Sequence, residues 1–331
     1  MKAIQVERTG GPEVLQLEDI APIEEPGPGQ AVVRVVAAGV NFMDIGQRRG
    51  SYPRQVPFTP GAEGAGMVES VGEGVTEVKP SDRVAFTGVP GAYAEAVIAD
   101  AGRLIPLPDD FTFEMGAAFP LQGMTAHYLI HEFRKPKAGD FVLVHAAAGG
   151  VGGLLAQWAR HLGATVIGTT SSEEKARTAR ENGAEHVIVY TDEDFVAETK
   201  RITNGHGADL ILDSVGKSTF KGDLEAVAIR GHVVVFGASS GPADPISPNM
   251  LMGRSFSLSG GSLQNFIRTR EELLRRADDV IQGIGQGWLK LHITVLPLEQ
   301  AQEAHRLIES RQTQGKIVLM VAARQAVGTG G

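Results

Sequence analysis

The chain has 331 residues, a formal net charge of −8 and no cysteine. That length accommodates two domains with separate cores. The acidic balance offers no basic field to nucleic acid or an anionic membrane, and the missing thiols exclude disulfides, a thiolate nucleophile, iron–sulfur ligation and cysteine-bound zinc.

The N-terminus, MKAIQVERTGG, alternates like a strand and lacks the apolar core of a signal peptide. No run of about 18 apolar residues follows, so no membrane span is expected and a cytoplasmic protein is. Residues 1–120 read as all-β. Short strands at 2–7, 14–18, 30–38, 64–71, 83–87 and 92–98 are separated by Gly/Pro turns, a pattern of barrels and sandwiches. Helix is expected from Phe113 to Phe133, with Thr112 as a cap and Pro120 as a break or kink. Strands then alternate with helices, starting near 141, 165, 186, 208, 232 and 254. Glycines 163, 183, 205 and 231 serve as helix stops. Six such strands make a complete doubly wound parallel sheet of the Rossmann kind. Helices at about 265–285 and 299–310 and a last strand, Lys316 to Val321, have no place in that sheet. They are expected to return to the first domain. The domains are therefore drawn as 1–121 with 264–331, and 122–263. Joined without a linker, they imply a ligand cleft between them.

The stretch FVLVHAAAGGVGGLLAQWARHLGATVIGTT begins at Phe141 and reads strand, glycine turn, helix, strand. Ala147, Gly149 and Gly152 fall at the three small-residue positions of a dinucleotide fingerprint. The first makes the tight turn, the second admits a pyrophosphate and the third lets the helix pack on the strand. Gly150 and Val151 open the helix, whose free N–H groups and dipole favour phosphate.

An NAD site usually carries an acid about 20 residues on, at the tip of the second strand. Here that tip reads Thr169, Thr170, Ser171, Ser172, with Lys175 one turn later and Tyr190 closing the third strand. Hydroxyls and a cation welcome a 2′-phosphate that an acid would repel. NADPH is therefore expected over NADH, although Glu173 and Glu174 stand close by. The alternative for Lys175 is a solvated helix residue paired with one of them.

A family likeness runs through nearly the whole chain. It is carried by Gly39-Val40-Asn41-Phe42-Met43-Asp44, Pro60-Gly61-Ala62-Glu63-Gly64-Ala65-Gly66, Asp82-Arg83-Val84 and His145-Ala146-Ala147-Ala148-Gly149-Gly150-Val151-Gly152. Asp213-Ser214-Val215-Gly216, Phe236-Gly237-Ala238-Ser239-Ser240-Gly241 and Glu309-Ser310-Arg311-Gln312-Thr313-Gln314-Gly315-Lys316 add to it. The chain resembles the zinc-independent quinone oxidoreductases of the medium-chain dehydrogenase/reductase superfamily, the group of zeta-crystallin and bacterial NADPH:quinone reductases. The resemblance implies a GroES-like β-barrel catalytic domain, built from both chain ends, beside the Rossmann domain. It also implies a homodimer, or a tetramer of dimers, paired through the last Rossmann strand near 254–259. Where zinc relatives place Cys and His, this chain has Asn41 and Ala62, with only Glu63 beside them. No metal is expected, so an acceptor that is already an electrophile is. One departure is Ser81, where the family usually has Gly; little effect is expected of it.

The resemblance sets Asn41 and Asp44 at the end of a barrel strand where the active-site cleft opens. Asn41 is a candidate donor to an acceptor oxygen as negative charge develops there. Asp44 is a candidate to orient a water or a neighbour. The alternative is that both cap the next turn or helix. Tyr52 stands where enoyl thioester reductases of this superfamily keep a proton-donor Tyr, and otherwise is a half-buried loop aromatic. Gln122, Gly123 and Thr125, with Phe236, Gly237 and Ser239, are expected to face the nicotinamide. Ser214 and Arg311 complete the candidate cofactor residues. His127 and His131 lack a third ligand, and His145 is read as satisfying backbone groups. The expected function is an NADPH-dependent, zinc-independent quinone reductase with a small-molecule acceptor and no nucleic-acid or membrane partner. The rivals are an enone or enoyl-thioester reductase and, from another class, an NADPH-binding protein with little turnover.

Overall fold

Short alternating runs become short paired strands in the computed structural model, which describes residues 1–310 and 313–321. One compact unit comprises Met1–Leu121 and the chain from Ile293 onward; the other is Gln122–His292.

In the first unit β1 (Lys2–Gln5) pairs antiparallel with β2 (Gln16–Asp19). Next come β3 (Gln30–Gly39), helix α1 (Phe42–Arg49), β4 (Glu63–Val71), β5 (Arg83–Thr87), β6 (Ala96–Asp100), β7 (Ile105–Pro106) and α2 (Phe113–Ala118). Pro120 divides the expected helix, and α3 (Pro120–His131) starts on it, where a missing N–H costs nothing. The second unit runs β8 (Phe141–Val144), α4 (Gly150–His161), β9 (Thr165–Thr170), α5 (Glu173–Glu181), β10 (His186–Val189), α6 (Phe195–Ile202) and β11 (Ala208–Asp213). It continues with α7 (Phe220–Ala226), β12 (Val227–Val235), β13 (Ser257–Gly260) and α8 (Arg270–Gly285). The chain returns to the first unit as β14 (Ile293–Pro297), α9 (Ala301–Glu309) and β15 (Lys316–Met320).

The second unit holds six parallel strands in the order β10-β9-β8-β11-β12-β13. Its central strands read as unbroken apolar runs because helices cover both faces of a parallel sheet. The strand order reverses between β8 and β11, so the turn after β8 lies at the switch point where such sheets bind ligands. In the first unit the order is β14-β15-β3-β4-β5-β7, with β6 also on β3. Val33, Val35, Val68, Val84, Phe86 and Leu319 are among its buried core. Among the described residues no helix is long and apolar enough to cross a membrane.

Several expectations need correction. Residues 264–292 belong with the second unit, not the first. The cause is α8, whose buried Arg276 donates to Phe266 O (2.8 Å), His127 Nδ1 (3.0 Å) and Glu132 (2.7 Å). A Cβ on Gly123 would lie 2.7 Å from Val280 of the same helix. Charged residues masked this inward face in the sequence. Gly231 is not a helix stop: α7 ends at Ala226, and β12 continues through Gly231 past Arg230, whose φ is +57°. β14 and helix α1 were not foreseen.

Ser81 is also more than a tolerated turn residue. Its φ is +73°, in the left-handed region, which costs a residue with a Cβ roughly 1 kcal/mol or more. Ser81→Gly removes that cost but loosens the unfolded chain. We predict a net gain of about 0.5–1 kcal/mol, read as a higher urea midpoint at unchanged slope.

Candidate active site

The fingerprint turn follows directly from β8. Ala146, not Ala147, takes the left-handed conformation, with φ +53°. Ala147 is fully buried and its N–H bonds to Thr169 O at 3.1 Å, tying the turn to β9. A Cβ on Gly152 would sit 2.3 Å from Ala146 O, so only glycine lets α4 approach the turn this closely. Gly149 is the N-cap of α4 and supplies no side chain to it. No side chain caps the first N–H groups of the helix at Gly150 and Val151, the kind of helix end that favours an anion. The Gln122 side chain lies against the same turn, 2.3 Å from where a Cβ on Gly150 would be. Thr125 is half-buried one turn further along α3.

At the tip of β9, Lys175 Nζ donates to Ser171 Oγ at 3.3 Å, and Ser172 caps α5. Glu173 is engaged by Arg180 at 2.7 Å. Tyr190 N bonds to Thr170 O at 3.1 Å, which brings its half-exposed ring to the same edge. Ser239 N meets Ser214 O at 3.2 Å, and Gly237 packs on Ser214 so closely that a Cβ would fall 2.6 Å from that oxygen. Phe236 stays half-buried beside them. Arg311 lies outside the described residues. These groups fit a dinucleotide phosphate: an uncapped helix N-terminus, glycines where a Cβ would intrude, and a lysine–serine pair with no acid at the strand tip.

His145 does not serve the backbone. Its Nδ1 meets Thr169 Oγ1 at 2.9 Å and its Nε2 meets Asp223 Oδ1 at 2.7 Å. Burial works against the imidazolium, but Asp223 and Asp213 outweigh it and hold His145 above its ordinary pKa. With Asp213 these residues form the one cluster of three such metal-ligating side chains among the described residues. Asp213 is already spent on Val215 N, Gly216 N and Thr219 Oγ1, so the cluster ties β8, β9, β11 and α7 together.

In the first unit, a polar centre is buried at the end of β3. Lys316 Nζ donates to Asn41 Oδ1 at 2.6 Å and to Glu63 Oε2 at 2.5 Å. Asn41 Nδ2 donates to the same Glu63 oxygen at 2.9 Å and to Gly39 O at 3.4 Å. Glu63 Oε1 takes the N–H of Leu121 at 2.6 Å. A Cβ on Gly39 would lie within 3 Å of Glu63 Oε2 and Lys316 Cε, so glycine is needed there. Because an ammonium only donates, it fixes the Asn41 oxygen toward itself and the amide hydrogens toward Glu63 and Gly39 O. The expectation that Asn41 offers its amide to an acceptor oxygen is therefore corrected: both hydrogens are committed inside the unit.

Asp44 accepts from Asn41 N at 2.8 Å and so caps α1. Tyr93 also donates to it, at 3.2 Å, and stands 3.3 Å from His305 Nε2. Burial pushes Asp44 up to about 7, against the pull of Asn41 N, Lys316 and Tyr93. Asp44 Oδ1 is buried without a partner. Tyr52 is 57% exposed, its ring lying against Gly46 of α1, where a Cβ would be 2.2 Å away.

Residues 27–109 match the family described as "Alcohol dehydrogenase GroES-like domain", and residues 150–279 match "Zinc-binding dehydrogenase". A 2-haloacrylate reductase of Burkholderia sp is 40% identical over 97% of this chain and 99% of its own. A quinone oxidoreductase of Pseudomonas aeruginosa is 41% identical over 96% of this chain and 99% of its own. The solved Escherichia coli quinone oxidoreductase complexed with NADPH superposes with a TM-score of 0.93 at 38% identity, covering 97% of this chain and 100% of that one. The chain belongs to the quinone oxidoreductase family of the medium-chain dehydrogenases/reductases. Its fold is accordingly a Rossmann unit and a GroES-like unit.

Zinc, which one of those family descriptions implies, does not fit the residues at Asn41. A zinc site needs three protein ligands with lone pairs to give. Here the Lys316 ammonium stands between Asn41 Oδ1 and Glu63 Oε2, Ala62 has no donor atom, and no cysteine exists. Lys316, Tyr93 and His305 were missed in the sequence. The available signal was a lysine inside the apolar strand KIVLM, since lysine is almost never buried unless paired.

Two predictions follow from this centre. Lys316→Met leaves Glu63 buried without its counter-charge and should cost about 3–5 kcal/mol in urea unfolding. Adding Glu63→Gln should recover most of that loss. The raised Asp44 pKa makes its share of stability full below 3.8 and lost as pH rises through about 7, a fall of roughly 4 kcal/mol. His305, pushed down to about 3 by burial and Arg48, acts in the opposite sense below 6.5. Asp44→Asn should therefore flatten the loss of stability toward neutral pH; parallel wild-type and variant profiles would contradict the assignment.

Proposed function

We propose that this protein is a metal-independent, NADPH-dependent reductase of electron-poor acceptors, with quinones as the first class. The observation that carries the reading is the Lys175–Ser171 pair at the tip of β9, beside the uncapped start of α4 and with no acid in its place. The relatives named for quinone reduction and the neighbour solved with NADPH support it. Bound NADPH supplies a hydride; the protein's share is positioning and electrostatics.

Gly149, Gly150, Val151 and Gly152 receive the pyrophosphate on backbone N–H groups, and Ala147 keeps the turn close to β9. Ser171, Lys175 and Tyr190 take the adenosine end with its 2′-phosphate. Gln122, Thr125, Ser214, Phe236, Gly237 and Ser239 line the nicotinamide end. In the other unit the half-exposed Tyr52 is our candidate acid for protonating the reduced acceptor. Asp44, buried and pushed up to about 7, holds α1 and Tyr93 in place within the same unit. Asn41 and Lys316 fix the surrounding field rather than touch the acceptor. A second reading, reduction of an activated carbon–carbon double bond, is favoured by the relative named 2-haloacrylate reductase and by the accessibility of Tyr52.

We also place the protein in the cytoplasm as a homodimer paired through β13, an edge strand of its sheet. A sedimentation mass equal to one chain would overturn the dimer.

The test is NADPH oxidation against 1,4-benzoquinone, 9,10-phenanthrenequinone, a simple enone and crotonyl-CoA, with NADH in parallel. Quinone turnover preferring NADPH is expected. Preference for the enone or thioester would move the function to the second reading, and silence throughout would make it a binding protein. Lys175→Ala should lower the NADPH-over-NADH ratio of kcat/KM about tenfold, the worth of one charge-assisted hydrogen bond.

A further inference from the structure

Three ionisable side chains that the proposed reduction does not use meet in the interior of the second unit. His145 follows β8, Asp213 ends β11 and Asp223 lies on α7, and all three are buried. One ligand atom from each lies within 4.8 Å of the other two. Thr169 of β9, Thr219 at the start of α7 and the Phe195 ring of α6, edge-on to His145 at 5.0 Å, bring no further charge to them. The charged groups that act on His145 are Asp223 and Asp213, and those that act on Asp223 are His145 and Asp213.

Hydrogen bonds account for every polar atom of the trio except one. The His145 ring is shared between Thr169 Oγ1 and Asp223 Oδ1, at 2.9 and 2.7 Å. Asp213 takes Val215 N, Gly216 N and Thr219 Oγ1 on its two oxygens. Asp223 Oδ2 is buried without a partner. Two carboxylates brought together away from water do not both ionise without a compensating proton. Held on Asp223 Oδ2, that proton is donated to Asp213; held on the imidazole, it faces Asp223. In either place it belongs to the group as a whole.

Both backbone turns of the cofactor site rest on this trio. Ala146, with its positive φ, follows His145 directly. Ala147 N bonds to the carbonyl of Thr169, the residue whose hydroxyl meets the His145 ring. Asp213 fixes Val215 N and Gly216 N, and Gly237 packs on Ser214 between them.

We propose that His145, Asp213 and Asp223 share one proton, and that this proton positions the two turns that receive NADPH. This deepens the NADPH reading above and rests on it. The three are positioning residues: being buried, they act through the turns. Burial pushes Asp223 up to about 6 against the pull of His145, while at His145 burial is outweighed by Asp223 and Asp213. Both shifts are upward, so the proton's contribution is present at acid pH and lost as pH rises through neutrality. Two bare carboxylates then repel each other beneath the turns.

NADPH dissociation constants, read from nicotinamide fluorescence in wild type, Asp223→Asn and Asp223→Ala, test this. The asparagine amide donates to Asp213 and accepts from His145 without titrating. The Kd of wild type relative to Asp223→Asn should stay within about twofold of one near pH 6 and rise roughly tenfold by about pH 9. Titration of the NADPH 2′-phosphate cancels in that ratio, and the ratio does not need the alanine variant to fold. Asp223→Ala, where it folds, should bind about tenfold more weakly than Asp223→Asn at every pH. Turnover should follow through the KM for NADPH, with kcat near the wild-type value. Parallel wild-type and Asp223→Asn profiles would overturn the shared proton, as would a divalent ion that copurifies with the wild type and is lost in Asp223→Asn. A wild type that binds no NADPH at any pH would overturn the cofactor reading with it.

Discussion

Withdrawing an ammonium group from water costs several kcal/mol unless oxygens replace the solvent around it. Lys316 meets that condition with one carboxylate and one amide oxygen, both inside 2.6 Å. Much of the barrel unit is arranged around that solution. Gly39 leaves room for the lysine, Asn41 is turned by it, and Asp44 caps α1 from the same residue. Glu63 uses its second oxygen on Leu121 N, which fixes the point where α3 begins. A cation is thus already in place where zinc relatives gather their ligands, and it belongs to the chain. Acceptors that need no Lewis acid are the ones such a centre suits.

The other unit solves a different electrostatic problem. It must attract several phosphate charges while the chain as a whole is acidic. In the function proposed above it does so locally, with backbone N–H groups at one helix end and one lysine at a strand tip, rather than with a basic field. The His145, Asp213 and Asp223 cluster holds the strands that carry those groups, and Asp213 also fixes the turn through Gly216. Rigidity near the turn therefore comes from buried polar bonds as well as from packing.

Most of the Rossmann unit was legible because parallel strands and glycine turns leave strong local patterns. The strand–turn–helix after β8 and the six parallel strands were legible; within the turn, the positive φ falls on Ala146 rather than Ala147, and His145 proved to serve buried side chains. What escaped was decided by tertiary contacts. α8 looks like a solvated helix until Arg276 is seen buried against His127 and Glu132. β14 lies next to β15, so nothing near it in sequence announces the pairing. Asn41 and Asp44 were recognised, but their geometry depends on Lys316, which lies 275 residues from Asn41.

Metal content set against turnover tests the central claim most directly. The protein should be purified from zinc-supplemented growth, assayed for bound metal, dialysed against a chelator and assayed again with NADPH and a quinone. The account predicts substoichiometric zinc and undiminished turnover after dialysis. One zinc ion per chain, whose removal abolishes turnover and whose return restores it, would contradict an internal ammonium in the metal's place.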